Sequence, residues 1–105
     1  MSLLYHIVPA ADWKPYEDKA NYEVASLQTE GFIHLSRQEQ VDGTLNRYYQ
    51  NVPNLLLLHV DINKLTHEVK YEPSTNNELF PHLYGPLNKS AIIRVEELNR
   101  LLPML

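Results

Sequence analysis

Gly31-Phe32-Ile33-His34-Leu35-Ser36 is the stretch on which the reading of this chain turns. Strict alternation puts Ile33 and Leu35 on one face of a strand, suited to a core, and Phe32, His34 and Ser36 on the other. That second face carries an imidazole and a hydroxyl, both able to hold a polar ligand. Directly afterwards the period changes. Val41, Leu45, Tyr48 and Tyr49 stand at i, i+4, i+7 and i+8, which predicts a helix over Gln38–Gln50 with these four on its buried side. Ser36 followed three residues later by Glu39 fits a capping box, and Gly43 inside the helix points to a close backbone approach.

Working outward, Leu3–Val8 is a short apolar run interrupted by His6 and closed by Pro9, which predicts a central strand. Ala10–Lys14 predicts a short helix with Trp13 turned inward, stopped by Pro15 because proline lacks the backbone donor a longer helix needs. Tyr22 and Val24 belong to an extended piece, and Ser26–Thr29 to a helical turn before Gly31. Leu55–Val60 is apolar at nearly every position, as in a strand buried on both faces, and Asp61 opens a capped turn. His67, Val69 and Tyr71 alternate with Glu68, Lys70 and Glu72, which predicts a half-exposed antiparallel strand. Pro73–Asn77 is a loop. Phe80-Pro81-His82-Leu83-Tyr84-Gly85-Pro86 reads as a rigid lip presenting His82 and Tyr84 to a cleft, or equally as a stiff turn whose aromatics plug the core. Ala91–Val95 supplies a last strand, and Glu96–Leu105 lies on the surface or continues the edge. Five or six short strands, one strong helix and one or two weak ones make an α+β chain, with residues 1–105 as a single domain.

Composition narrows the function. At 105 residues and 44% hydrophobic the chain has room for one core. The net charge of −4 and the scattering of nine Lys and Arg argue against nucleic acid as a partner. The absence of cysteine removes disulfides and thiol chemistry, and the lack of a signal peptide or long apolar span points to the cytoplasm and to no membrane partner. Three glycines, widely spaced, cannot make a phosphate-cradling loop.

Chemistry then rests on side chains. His6 and His34 each interrupt an apolar strand, where an imidazole loses hydration unless a ligand, or a backbone carbonyl in the core, compensates. His59 and His67 read as structural. The five histidines lack the spacings of familiar metal sites, so no metal is expected, although His6, His34 and His82 with Glu78 could be drawn as a hydrolase centre. Glu72 and Glu78 flank the loop before the aromatic stretch and are the carboxylates available for general-base or ribose-orienting work. The candidate catalytic set is His6, His34 and Glu78, with Ser36, Phe80, His82, Tyr84 and Gly85 binding the ligand.

Tyr5-His6-Ile7, Gly31–Ser36 with Gln40-Val41, the Leu55–Asp61 strand and Phe80–Leu87 together resemble the small bacterial domain-of-unknown-function family 952, over about Leu4 to Val95. That resemblance implies an ADP-ribosyltransferase-like fold, a split and strongly bent, mostly antiparallel sheet that grips NAD between its halves. It implies that His6 contacts the ribose of the nicotinamide end, that His34 and Ser36 stand against the nicotinamide, and that a late glutamate, Glu78 or Glu72, orients the ribose or the acceptor. The expectation is therefore a His-lined cleft for a nucleotide-like or NAD-derived small molecule, NAD being a candidate substrate of transferase or glycohydrolase chemistry. The alternatives are a non-catalytic metabolite- or protein-binding module on the same fold and a metal-dependent hydrolase.

Overall fold

A computed structural model of the protein describes residues 2–98. Strands β1 (Leu3–Pro9), β4 (Leu55–Asp61) and β8 (Ile92–Leu98) form one antiparallel sheet in the order β1-β4-β8. Strands β3 (Ile33–His34), β6 (Leu79–Leu83) and β5 (Val69–Pro73) form a second in the order β3-β6-β5, and β2 (Asn21–Tyr22) pairs with β7 (Leu87–Asn88) as a short ribbon. Helices α1 (Ala10–Trp13), α2 (Ala25–Thr29) and α3 (Val41–Tyr48) lie between them in sequence. This is an α+β architecture with antiparallel sheets and a few short helices. No described helix is long and apolar enough to cross a membrane.

The leucine-rich strand takes the middle of its sheet because its side chains are buried on both faces. Leu4, Val8, Leu56, Leu58 and Val60 meet Ile33, Leu35 and Leu83 of the second sheet in the larger core, along with Trp13, Tyr22 and Leu87. On the opposite face Tyr5, Ile7, Leu55 and Leu57 pack beneath Leu45 of α3. The two sheets touch at one isolated bridge, where Tyr5 and Ser36 exchange backbone hydrogen bonds of 2.8 and 2.7 Å.

Several local expectations need correction. The Gly31–Ser36 alternation holds for Ile33 and Leu35, both buried, yet only Ile33–His34 pairs as a strand, because after the Leu35 N–H bond to Pro81 O the chain turns at Ser36 from β6 to the bridge with β1. Ser36 is consequently no helix cap. The N-cap is Arg37, whose backbone N–H donates to Gln40 Oε1 at 3.0 Å, and a 3₁₀ turn over Gln38–Gln40 precedes α3. A Cβ built on Gly43 would first meet the guanidinium of Arg47 on its own helix, at 3.4 Å, so its nearest neighbour is a flexible side chain rather than the backbone approach expected. Tyr48 is exposed rather than buried on the helix face. The segment expected as a lip is largely strand β6, central to its sheet, with Phe80, Pro81 and His82 all buried. Pro81 is tolerated there because its carbonyl accepts from Leu35 N–H at 3.0 Å. Its nitrogen points to the same side, so the missing donor falls outside the ladder with β5. Residues 99–105 of the expected Glu96–Leu105 segment lie outside the described residues.

Gly85 has φ of +154°, and a Cβ built on it would sit 2.3 Å from the His67 ring. Gly85→Ala is therefore expected to destabilise by about 1–3 kcal/mol in urea unfolding, and adding His67→Ala should recover only the steric part, leaving the backbone strain.

Candidate functional site

A cavity of about 510 Å³ opens where β1 and the segment after β3 part from each other. Its floor is His6, Ile7 and Val8 of β1 and His34, Leu35 and Ser36. Tyr22 and Val24 close one side, Thr44 and Tyr48 of α3 with Tyr49 just after it another, and Phe80 of β6 a third. Asp12, on the exposed side of α1, is the carboxylate in the lining, which contains no Lys or Arg. Across the rim the Tyr48 hydroxyl and Thr75 Oγ1 lie 2.6 Å apart, joining α3 to the loop before β6.

His6 is buried and its ring is fully committed. A carbonyl oxygen only accepts, so Nδ1 must donate to His34 O at 2.8 Å, which leaves the Nε2 lone pair to accept from the Tyr22 hydroxyl at 3.2 Å. Burial dominates the energetics and pulls the imidazole down to about 4, so His6 is neutral near pH 7 in this one tautomer. The same desolvation pushes the Tyr22 phenol up, so it stays a protonated donor to His6, and Tyr22 is itself among the residues lining the cavity. His6 thus orients Tyr22 and the β3 segment. Neither of its nitrogens is free to take a proton from a ligand.

His34 stands at the mouth, with its side chain 47% exposed and Nε2 2.8 Å from Glu30 Oε2. Ser36 is buried, with Oγ 3.5 Å from Thr44 Oγ1, whose own proton goes to Gln40 O at 3.1 Å. Beyond His34 the same sheet face carries a second cluster. Phe32 stacks on His82 at 4.1 Å, and the His34 ring stands edge-on to His82 at 5.3 Å. His82 Nδ1 lies 2.9 Å from Glu72 Oε1, which also accepts from the Tyr84 hydroxyl at 2.5 Å. The Tyr84 hydrogen bond, then that of His82, holds the Glu72 carboxyl below its usual range, and the carboxylate in turn raises the Tyr84 phenol. His82 is 4% exposed, and its Nε2 has no hydrogen-bond partner among the described residues.

The single cleft expected from the sequence is therefore divided. His6, His34, Ser36 and Phe80 line the cavity. His82 and Tyr84 join it only through His34, because Phe32 covers the His82 ring. Gly85 packs on His67, and Glu78 faces away, accepting from Gln40 Nε2 at 2.8 Å with Arg37 3.9 Å off. Among the described residues no group of three His, Asp or Glu side chains is arranged to hold a metal ion. Asp12, Tyr22, Thr44, Tyr48 and Tyr49 are lining residues that sequence reasoning missed. The two tyrosines ending the amphipathic helix were the available signal, since phenols there bring polar tips to an apolar stripe.

The profile of the family described as "Protein of unknown function (DUF952)" matches residues 7–95. The chain belongs to that family. It is similar to protein CC0527 from Caulobacter crescentus, whose crystal structure superposes with a TM-score of 0.84 at 35% identity, covering 93% of this chain and 87% of that one. The solution NMR structure of CC0527 gives 0.80 at 36% identity, over 94% and 86%. No curated protein matches.

The neutral His6 has a direct thermodynamic signature. Between pH 6.5 and about 4 the unfolded chain takes up a proton that the native state refuses, so stability falls as pH drops through that window, by roughly 3 kcal/mol in all from this group. Chemical denaturation at a series of pH values should show this slope, and His6→Gln should flatten it.

Proposed function

We propose that this cavity binds the nucleoside end of a nucleotide-like, NAD-derived small molecule, on a fold of the ADP-ribosyltransferase-like kind. One observation carries the reading. The split between the two half-sheets opens into a hollow of about 510 Å³ that combines aromatic walls, Tyr22, Tyr49 and Phe80, with Ser36, Thr44 and a carboxylate, Asp12. Aromatic faces suit a planar base or nicotinamide ring, and hydroxyls with a carboxylate suit a ribose. The lining holds no Lys or Arg, so phosphates are best accommodated outside, in solvent.

In the catalytic form of this proposal the C1′–N bond of the ribosyl nicotinamide breaks and its electron pair neutralises the pyridinium nitrogen. Water attacks C1′ and releases a proton. The cationic ribose that develops needs a nearby negative charge, which falls to Asp12, since Glu78 is turned toward Gln40 and Arg37. His6 acts by holding Tyr22. The orientation of Glu78 away from the cavity equally favours a second reading, a binding module that holds such a ligand without turning it over.

Isothermal titration with nicotinamide riboside, NAD and ADP-ribose, beside an assay of nicotinamide release, separates the two. The binding reading predicts a saturable isotherm for the riboside that Tyr22→Phe and Ser36→Ala each weaken about tenfold, a loss of one good hydrogen bond. Nicotinamide release that Asp12→Asn abolishes while affinity stays within a few fold supports the enzyme; binding without release supports the module. Absence of any binding overturns both.

A further inference from the structure

We propose that β8 pairs with β8 of a second copy of this chain, antiparallel and two-fold symmetric about Val95, so that two β1-β4-β8 sheets fuse into one of six strands. Strand β8 is the outer strand of its sheet, and no described strand pairs with its far edge. Such an edge is a template for another strand unless it is guarded. Of the other outer strands, β1 has its far edge occupied at Tyr5 by the bridge to Ser36, and β5 is only five residues long with Lys70 inside it and Pro73 at its end. Strand β8 is seven residues long, has no proline, and carries Ile93 and Val95 42% and 44% exposed.

The order of its charges selects a second copy as the occupant. In the proposed register Val95 meets Val95 of the second copy on the axis, and Arg94 stands opposite Glu96 on both sides of it. Oppositely charged residues placed directly across an antiparallel pair attract, and like charges there repel. Directly opposed residues turn their backbone groups to the same edge, so a strand pairing with itself slips in steps that move the axis by one residue. Moving the axis to either neighbour places Arg94 against Arg94 or Glu96 against Glu96. One register is therefore favoured and both adjacent ones are penalised. Arg94 is free to make the new contact: it is 63% exposed and only 4.0 Å from Glu96 of its own strand, a loose pair. The extra residue at Ile93, where the register with β4 shifts between His59 and Val60, ends the regular ladder beyond the charged pairs. The interface is isologous and closes on itself, so it stops at two copies.

Sedimentation velocity of the full chain over a wide concentration range tests this. The expected result is a concentration-dependent species of twice the 12.2 kDa chain mass. Arg94→Glu should weaken it at least tenfold, and the double variant Arg94→Glu, Glu96→Arg should restore it. Because Glu96 also bonds His59 at 2.9 Å, a second measurement leaves Glu96 intact. In this cysteine-free chain, Val95→Cys under mild oxidation should give a disulfide-linked dimer, and adding Arg94→Glu should abolish the cross-link. A chain that stays monomeric throughout, or a dimer indifferent to Arg94→Glu, overturns the proposal.

Discussion

Everything about this fold depends on the seam between β1 and the segment after β3. Two backbone hydrogen bonds between Tyr5 and Ser36, with the bond from His6 Nδ1 to His34 O beside them, are what connect one three-stranded sheet to the other. A continuous ladder there would have left no hollow. A seam with no hydrogen bonds would have left the edge of β1 unsatisfied and the two sheets free to shift. Pairing at one bridge only lets the sheets diverge on one side of it, and the cavity is the space that divergence creates.

The seam also explains the chemistry available to its histidine. A buried imidazole next to a carbonyl can satisfy that carbonyl only by donating, and burial removes the option of carrying charge. Those two constraints fix the tautomer of His6, and the tautomer fixes the direction of the Tyr22 hydroxyl. The ribbon of β2 and β7 is short, yet it has a clear task, since it carries Tyr22 to the point where the His6 lone pair is waiting. A residue that looks catalytic by type is thus structural in its bonds and functional through its neighbour.

The second polar cluster follows a different logic. Phe32, His34, His82 and Tyr84 come from β3, β6 and the residues flanking them, and cross-strand pairing of His34 with His82 brings them together. Glu72 on β5 gathers the His82 and Tyr84 bonds onto one carboxylate oxygen. The arrangement stiffens the sheet face leading to the cavity mouth, where His34 is the residue that belongs to both groups.

Much of the architecture was legible in the sequence because it depends on local period and burial. The leucine run Leu55–Leu58 had to be central, Ile33 and Leu35 had to be core, Pro15 had to keep the first α-helix short, and Val41 with Leu45 had to face inward. Sequence also singled out His6, His34, Ser36 and Phe80, since polar or aromatic groups breaking apolar alternation stand out in one dimension. What it could not supply was the placement of Pro81 in a central strand, the turning of Glu78 toward Gln40 and Arg37, and the presence of Asp12 and Tyr22 in the same hollow. Those depend on contacts between residues far apart in the chain, and on which side of a strand a carbonyl points. The sequence by itself determined which faces are apolar, because burial is a property of each segment. Only the tertiary structure decided which polar groups share a cavity, because that is set by where the two sheets join and where they part.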